Sequence, residues 1–168
     1  MEELGLRKRG EGIAPEEFFM EEAIKKAKKA RTKGDYAIGA VLVQDSRIIA
    51  ACGQRLIQDQ DPTGHAEILA IRKGSKILRN KHLIGCVLYS TCEPCPMCAG
   101  AAALAKVSGI IYGARMEDIK KNGIRRGADG KITHRIIAIP CREVIERSGL
   151  DIEVIEDFMR DQCLELFH

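Results

Sequence analysis

Two short stretches about thirty residues apart constrain this chain more than anything else in it: Asp61-Pro62-Thr63-Gly64-His65-Ala66-Glu67 and Thr91-Cys92-Glu93-Pro94-Cys95-Pro96-Met97-Cys98. A zinc ion that does chemistry usually keeps three protein ligands and leaves one tetrahedral position for water, and one imidazole plus two thiolates meet that requirement. His65, Cys95 and Cys98 are therefore the expected ligands of a Zn2+ site. Glu67 is poorly spaced to bind the same ion but can take a proton from its water. The arrangement is hydrolytic, and any fold of this chain must bring the two stretches together.

Other readings compete. Cys92, Cys95 and Cys98 open a C-x2-C-x2-C run of the iron-sulfur kind, but Ala102 and Ala103 stand where the bacterial version continues with a cysteine and a proline. A structural zinc site would take Cys92 as a fourth ligand, which leaves Glu67 without a task. The joint pattern H-x-E followed by P-C-x2-C is more specific than either half.

The length of 168 residues points to one domain, with a polar arm at 1–14 and a single folded unit at 15–168. Seven cysteines, three of them at metal-site spacing, argue against a disulfide framework and for a reducing cytoplasm. Neither a signal peptide nor a stretch long enough to span a bilayer is expected, so no membrane partner is. A net charge of +3 neither requires nor excludes a polyanionic partner.

Apolar residues at helical spacing predict a first helix from Pro15 to about Thr32, with Lys25 to Lys29 on a solvated face. The runs 37–43 and 47–51 predict an antiparallel hairpin about Gln44-Asp45-Ser46. Thr63 is expected to cap a helix running to Lys73, with Gly74 near its end. A strand at 86–90 leads to a helix opened by the Cys-Pro-Met-Cys segment, so both metal-binding segments lie at helix N-termini, where unpaired N–H groups favour thiolates. A strand at 109–113, a polar and basic loop or broken helix at 115–135, a helix at 141–147, a strand at 152–155 and a helix at 158–167 follow. The expected fold class is α/β, a three-layer α/β/α sandwich with a mixed, mostly five-stranded sheet.

H-x-E with P-C-x-x-C is the signature of zinc-dependent nucleobase deaminases. On these residues the chain resembles the cytidine deaminase superfamily over roughly residues 16 to 168, most closely from Asp61 to Ala114. Within it, DPTxHAE and EPCPMCAGA are similar to the branch of tRNA adenosine deaminases, guanine deaminases and free-base cytosine deaminases. The resemblance implies hydrolytic deamination, with Glu67 carrying protons from water to a ring nitrogen and to the departing amine. It also implies that Ile38 and Gly39 line the base pocket, although Ile38 reads equally as strand core.

Two departures bear on substrate. Many relatives carry an asparagine that bonds the substrate where this chain has Gln54, which either keeps that contact or is a tolerated surface residue. Guanine deaminases carry an acidic pair where this chain has Arg125-Arg126, which would instead favour an oxygen-rich substrate edge. The loop characteristic of tRNA adenosine deaminases is absent, and residues 142–167 resemble cytosine deaminases.

The first reading is therefore a deaminase of a small free aminopyrimidine, aminopurine or related heterocycle. The alternative is a tRNA-specific adenosine deaminase (A-to-I editing) using residues 120–135 and the first helix as a basic platform. The chain's 4% aromatic content and lack of Trp disfavour tRNA, since few rings are available to stack on flipped bases. A non-catalytic partner subunit is disfavoured by Glu67. A homodimer is expected, both from the resemblance and from the small residues Ala99 to Ala103, which could equally pack within one chain.

Overall fold

The computed structural model describes residues 12–122 and 136–167. Helix α1 (Glu17–Thr32) buries Phe19, Met20, Ala23, Ile24, Ala27 and Ala30, a stripe at helical spacing. Strands β1 (Gly39–Gln44) and β2 (Arg47–Gly53) form the antiparallel hairpin. Asp45 and Ser46 both take positive φ, at 49° and 56°, which suits the twist of a two-residue hairpin turn.

Helix α2 (Ala66–Leu78) runs past the end expected at Lys73. Gly74 is no stop: a Cβ there would strike the Leu42 side chain, so the glycine lets α2 lie close to β1. The helix ends instead at Arg79, in the left-handed region at φ 49°. Strand β3 (Cys86–Cys92), helix α3 (Pro96–Leu104), strand β4 (Gly109–Ala114) and helix α4 (Met116–Asn122) follow, then helix α5 (Cys141–Ser148), strand β5 (Glu153–Ile155) and helix α6 (Arg160–Leu164). The single closing helix expected at 158–167 is broken into α6 and a 3-10 turn at Glu165–Phe167, with Met159 left-handed before α6.

The sheet order is β2-β1-β3-β4-β5. β1 is antiparallel to β2 and β3, whereas β3, β4 and β5 run parallel. Side chains alternate between two cores, as a sheet buried on both faces requires. Leu42, Leu88 and Ile110 meet α2, α3 and α5 through Ala70, Ala102 and Ile145. Val41, Tyr89 and Ile111 meet α1 and the C-terminal helices through Met20, Ala23 and Cys163. This is the expected three-layer α/β/α sandwich. It carries the chain from the carboxyl ends of β3 and β4 into the metal segment and α4, where ligands bind in sheets of this kind.

Of the arm expected at 1–14, residues 1–11 lie outside the described residues, while Ile13 is buried and its N–H donates to the Glu153 carboxylate at 2.8 Å. No helix among the described residues is long and apolar enough to cross a membrane. Ala99, Ala102 and Ala103 pack into the chain's own core.

Candidate active site

His65 and Cys95 occupy N-cap positions, of α2 and α3 respectively, each in extended conformation. Thr63 is not the cap; its hydroxyl and N–H both donate to the Asp61 carboxylate, at 2.7 and 2.8 Å, and close the turn before the helix. Pro96 is the first residue of α3, where its missing N–H costs nothing and its fixed φ suits the helix.

The ligand atoms of His65, Cys95 and Cys98 all lie within 4.8 Å of one another. Sγ of Cys95 is 3.7 Å from Sγ of Cys98, and His65 Nδ1 is 3.7 and 3.5 Å from the two sulfurs. A tetrahedron with Zn–S bonds of about 2.3 Å and a Zn–N bond of about 2.0 Å has edges of about 3.8 Å between sulfurs and about 3.5 Å from sulfur to nitrogen. The observed edges fit a zinc ion. Cys92 is not in the cluster; its buried thiol donates to the Glu93 carbonyl at 3.5 Å, and burial pushes it well above the ordinary thiol range. Among the described residues the cluster is thus a three-ligand set rather than a closed four-ligand one.

The hydrogen bond from Cys98, aided by His65, brings the Cys95 thiol down to about 4 despite burial. The same bond and burial raise Cys98, so the first thiolate of the pair belongs to Cys95, and a dication between the sulfurs favours the thiolate of both. Burial opposes the charge on His65, but the Cys95 hydrogen bond and the Glu67 charge outweigh it and leave the imidazole raised. Glu67 is 2% exposed, and burial raises its carboxyl above the ordinary range. Ser90 Oγ donates to its Oε1 at 3.2 Å, whereas Oε2 is buried without a partner.

A cavity of about 310 Å³ lies over these groups. His65, Glu67 and Cys95 form its metal-bearing wall, and Met116, Ile119, Ile136 and Ile137 supply an apolar wall from α4 and the segment before α5. Ile38 also lines it. Gly39 does not; a Cβ there would collide with the Ala23 carbonyl and the Ala27 amide, so the glycine serves the packing of α1 on β1. Gln54 is fully buried, which removes the surface alternative. Its N–H donates to the Ile38 carbonyl at 2.9 Å, and both atoms of its amide are buried without a hydrogen bond. Arg125 and Arg126 lie outside the described residues.

Sequence reasoning missed three buried polar groups, of which Glu93 lines the cavity. Ser90 anchors Glu67, and Glu93, 7% exposed, accepts from two backbone N–H groups. Asp35, fully buried, accepts the N–H groups of Ile57 and Gln58 at 2.9 and 3.1 Å and pins the turn before Asp61. The one signal for Glu93 is an acid inside a cysteine-rich, apolar run.

Residues 14–114 match the family described as the cytidine and deoxycytidylate deaminase zinc-binding region. The chain is 48% identical over 102 residues to a tRNA-specific adenosine deaminase of Bacillus subtilis, covering 61% of this chain and 63% of that one. It is 49% identical over 100 residues to a chloroplastic tRNA(adenine(34)) deaminase of Arabidopsis thaliana, covering 59% of this chain and 8% of that one. The chain thus spans less than two thirds of the length of these curated relatives. Among solved structures it superposes on a tRNA:A34 deaminase with a TM-score of 0.72 and 30% identity, covering 90% and 99% of the two chains. It superposes on a guanine deaminase from Bacillus subtilis with a TM-score of 0.60 and 32% identity, covering 81% and 92%. With this match over more than half its length, the five-stranded mixed sheet and the His/Cys/Cys cluster, the chain belongs to the cytidine and deoxycytidylate deaminase family of zinc-dependent deaminases.

Proposed function

We propose that this chain deaminates adenosine in tRNA, using a zinc ion held by His65, Cys95 and Cys98 and Glu67 as the proton carrier. The observation that carries the reading is the 48% identity over 102 residues to a tRNA-specific adenosine deaminase. This reverses the order of preference drawn from sequence alone, which placed a small free heterocycle first on the strength of few aromatics and of Gln54, Arg125 and Arg126.

Zinc in such a site is a Lewis acid that makes water acidic near neutral pH. Glu67 is built to move the proton: Ser90 holds one carboxylate oxygen, and the other, without a partner, takes the proton from water. Its burial keeps that proton available for a ring nitrogen and then the departing amine, so one carboxylate serves every transfer. Ile38, which lines the cavity, packs against the base, and Gln54, whose main chain bonds that of Ile38 and whose buried amide has no hydrogen bond, offers a donor and an acceptor to the substrate edge. Exposed Lys120 and Lys121, with Arg125 and Arg126, contact phosphates of the RNA. The outward side of α3, where Leu104 is 82% exposed, is the surface for a homodimer, and light scattering giving a monomer mass would remove that part of the reading.

A second reading, a free-base deaminase, is favoured by the cavity itself. At about 310 Å³ it is at the small end of ligand sites and is walled by Ile119, Ile136 and Ile137, which suits an isolated ring. An in vitro tRNA transcript and free adenine, guanine and cytosine decide between the two. Inosine in the transcript, with binding that weakens steeply as salt rises, supports tRNA. Ammonia from a free base with an unedited transcript reverses the assignment.

A further inference from the structure

We propose that Glu93 is a positioning residue whose carboxylate ties the apolar wall of the cavity to the metal segment and so sets which ring the cavity accepts. The inference rests on this cavity being the substrate pocket, as proposed above.

Glu93 stands two residues before Cys95, and its N–H donates to the Ala114 carbonyl at 2.8 Å, which fixes its main chain to the end of β4. Its two carboxylate oxygens face different elements. Oε2 accepts the N–H of Met116 at 3.0 Å, and Oε1 accepts the N–H of Cys141 at 2.9 Å. Those are the first residues of α4 and α5. First-turn N–H groups have no partner within their own helix, and the N-cap of α5, Pro140, offers no side-chain acceptor. Glu93 satisfies both helix starts from 23 and 48 residues away, and its negative charge sits where the helix dipoles favour it.

The elements held this way are the ones that carry the apolar wall. Met116 and Ile119 are on α4, and Ile136 and Ile137 lie on the segment that enters α5. With both oxygens engaged by backbone donors, Glu93 is a brace for that wall rather than a proton carrier. Only a carboxylate accepts on two oxygens; glutamine offers one and turns a second donor on its partner. A looser wall leaves the chemistry at Glu67 alone and weakens the grip on the ring, so the effect falls on KM and on discrimination.

Amide hydrogen exchange tests the brace without turnover. In the zinc-loaded parent the Met116 and Cys141 amides should exchange at least about a hundredfold more slowly than unprotected amides, although both start helices. Glu93→Gln should release one of them and Glu93→Ala both. On whichever of a tRNA transcript, adenine, guanine and cytosine the parent turns over, both variants should keep one zinc per chain and kcat within about threefold. KM should rise about tenfold, more for Ala than for Gln, and the preference among the four probes should narrow. Fast exchange at both amides in the parent overturns the proposal. So does a loss of zinc and kcat at unchanged KM, which would make Glu93 a support of the metal segment only. If Glu93→Ala does not fold, the parent and the Gln variant decide. If the parent turns over none of the four probes, the substrate assignment fails, and exchange alone judges the brace.

Discussion

The two walls of the cavity are held by different forces. The metal-bearing wall grows from the start of α2, which carries His65 and Glu67, from β3, which is buried throughout and paired on both sides, and from α3, whose alanines sink into the core. The apolar wall depends on side-chain charge: Glu93 on two helix starts, Arg115 on Asp157 at 2.6 Å, and Arg160 on Asp118 at 2.6 Å. Ladder bonds and close packing tolerate little change, so the wall that carries the chemistry is fixed by the fold. The apolar wall, which we propose meets the substrate, should be adjustable by single substitutions of those charged groups.

The largest effects should come from the metal-bearing wall. His65→Ala or Cys98→Ala should leave less than one zinc per chain by metal analysis and abolish turnover, while the secondary structure by circular dichroism stays near that of the parent. Glu67→Gln should keep the zinc and lose about 10²- to 10⁴-fold in kcat. The same change should raise the Tm of the chelated protein by about 2–4 °C. The sign follows from burial: a carboxyl raised in the fold contributes stability below its unfolded pKa and loses it as pH rises through the folded one, so at neutral pH an uncharged isostere is the better occupant. Near-normal turnover by Glu67→Gln would break the division of labour.

Smaller effects belong to the apolar wall. Arg160→Ala should raise KM about two- to threefold with kcat unchanged, and added salt should mimic part of it, because the pair is partly exposed. The hydrogen bond from Arg160 lowers Asp118, and that from Arg115 lowers Asp157. Their stabilisation is therefore present above the ordinary aspartate pKa and lost as pH falls through the depressed values. In the parent, exchange of α4 amides should rise over that acid range while β3 stays protected. The smallest change is Ser90→Ala. Burial raises Glu67 and the Ser90 bond opposes it, so its removal should move the acid limb of kcat/KM to higher pH, read from a pH–rate profile.

What the sequence made legible was local. The hairpin at Asp45-Ser46 and the helix starts at Cys95-Pro96 are set by residues next to one another, and both metal-binding segments could be read from spacing alone. What it hid was tertiary. Gly74 reads as a helix end until Leu42 is seen beneath it, and Gly39 reads as pocket lining until α1 is seen across it. Gln54 reads equally as a substrate contact or a surface residue, and its burial removes the second. Glu93 and Asp35 act on amides 22 to 48 residues away, and no periodicity records that.

The coordination of the metal tests the account most directly, because every role assigned to Glu67 depends on a three-ligand zinc beside it. X-ray absorption at the zinc edge of the parent and of Cys92→Ser should give one zinc per chain, bound by two sulfurs and one imidazole nitrogen with a light oxygen or nitrogen atom in the fourth position, and the two spectra should agree. A third sulfur that disappears in Cys92→Ser, or no zinc at all, would contradict it.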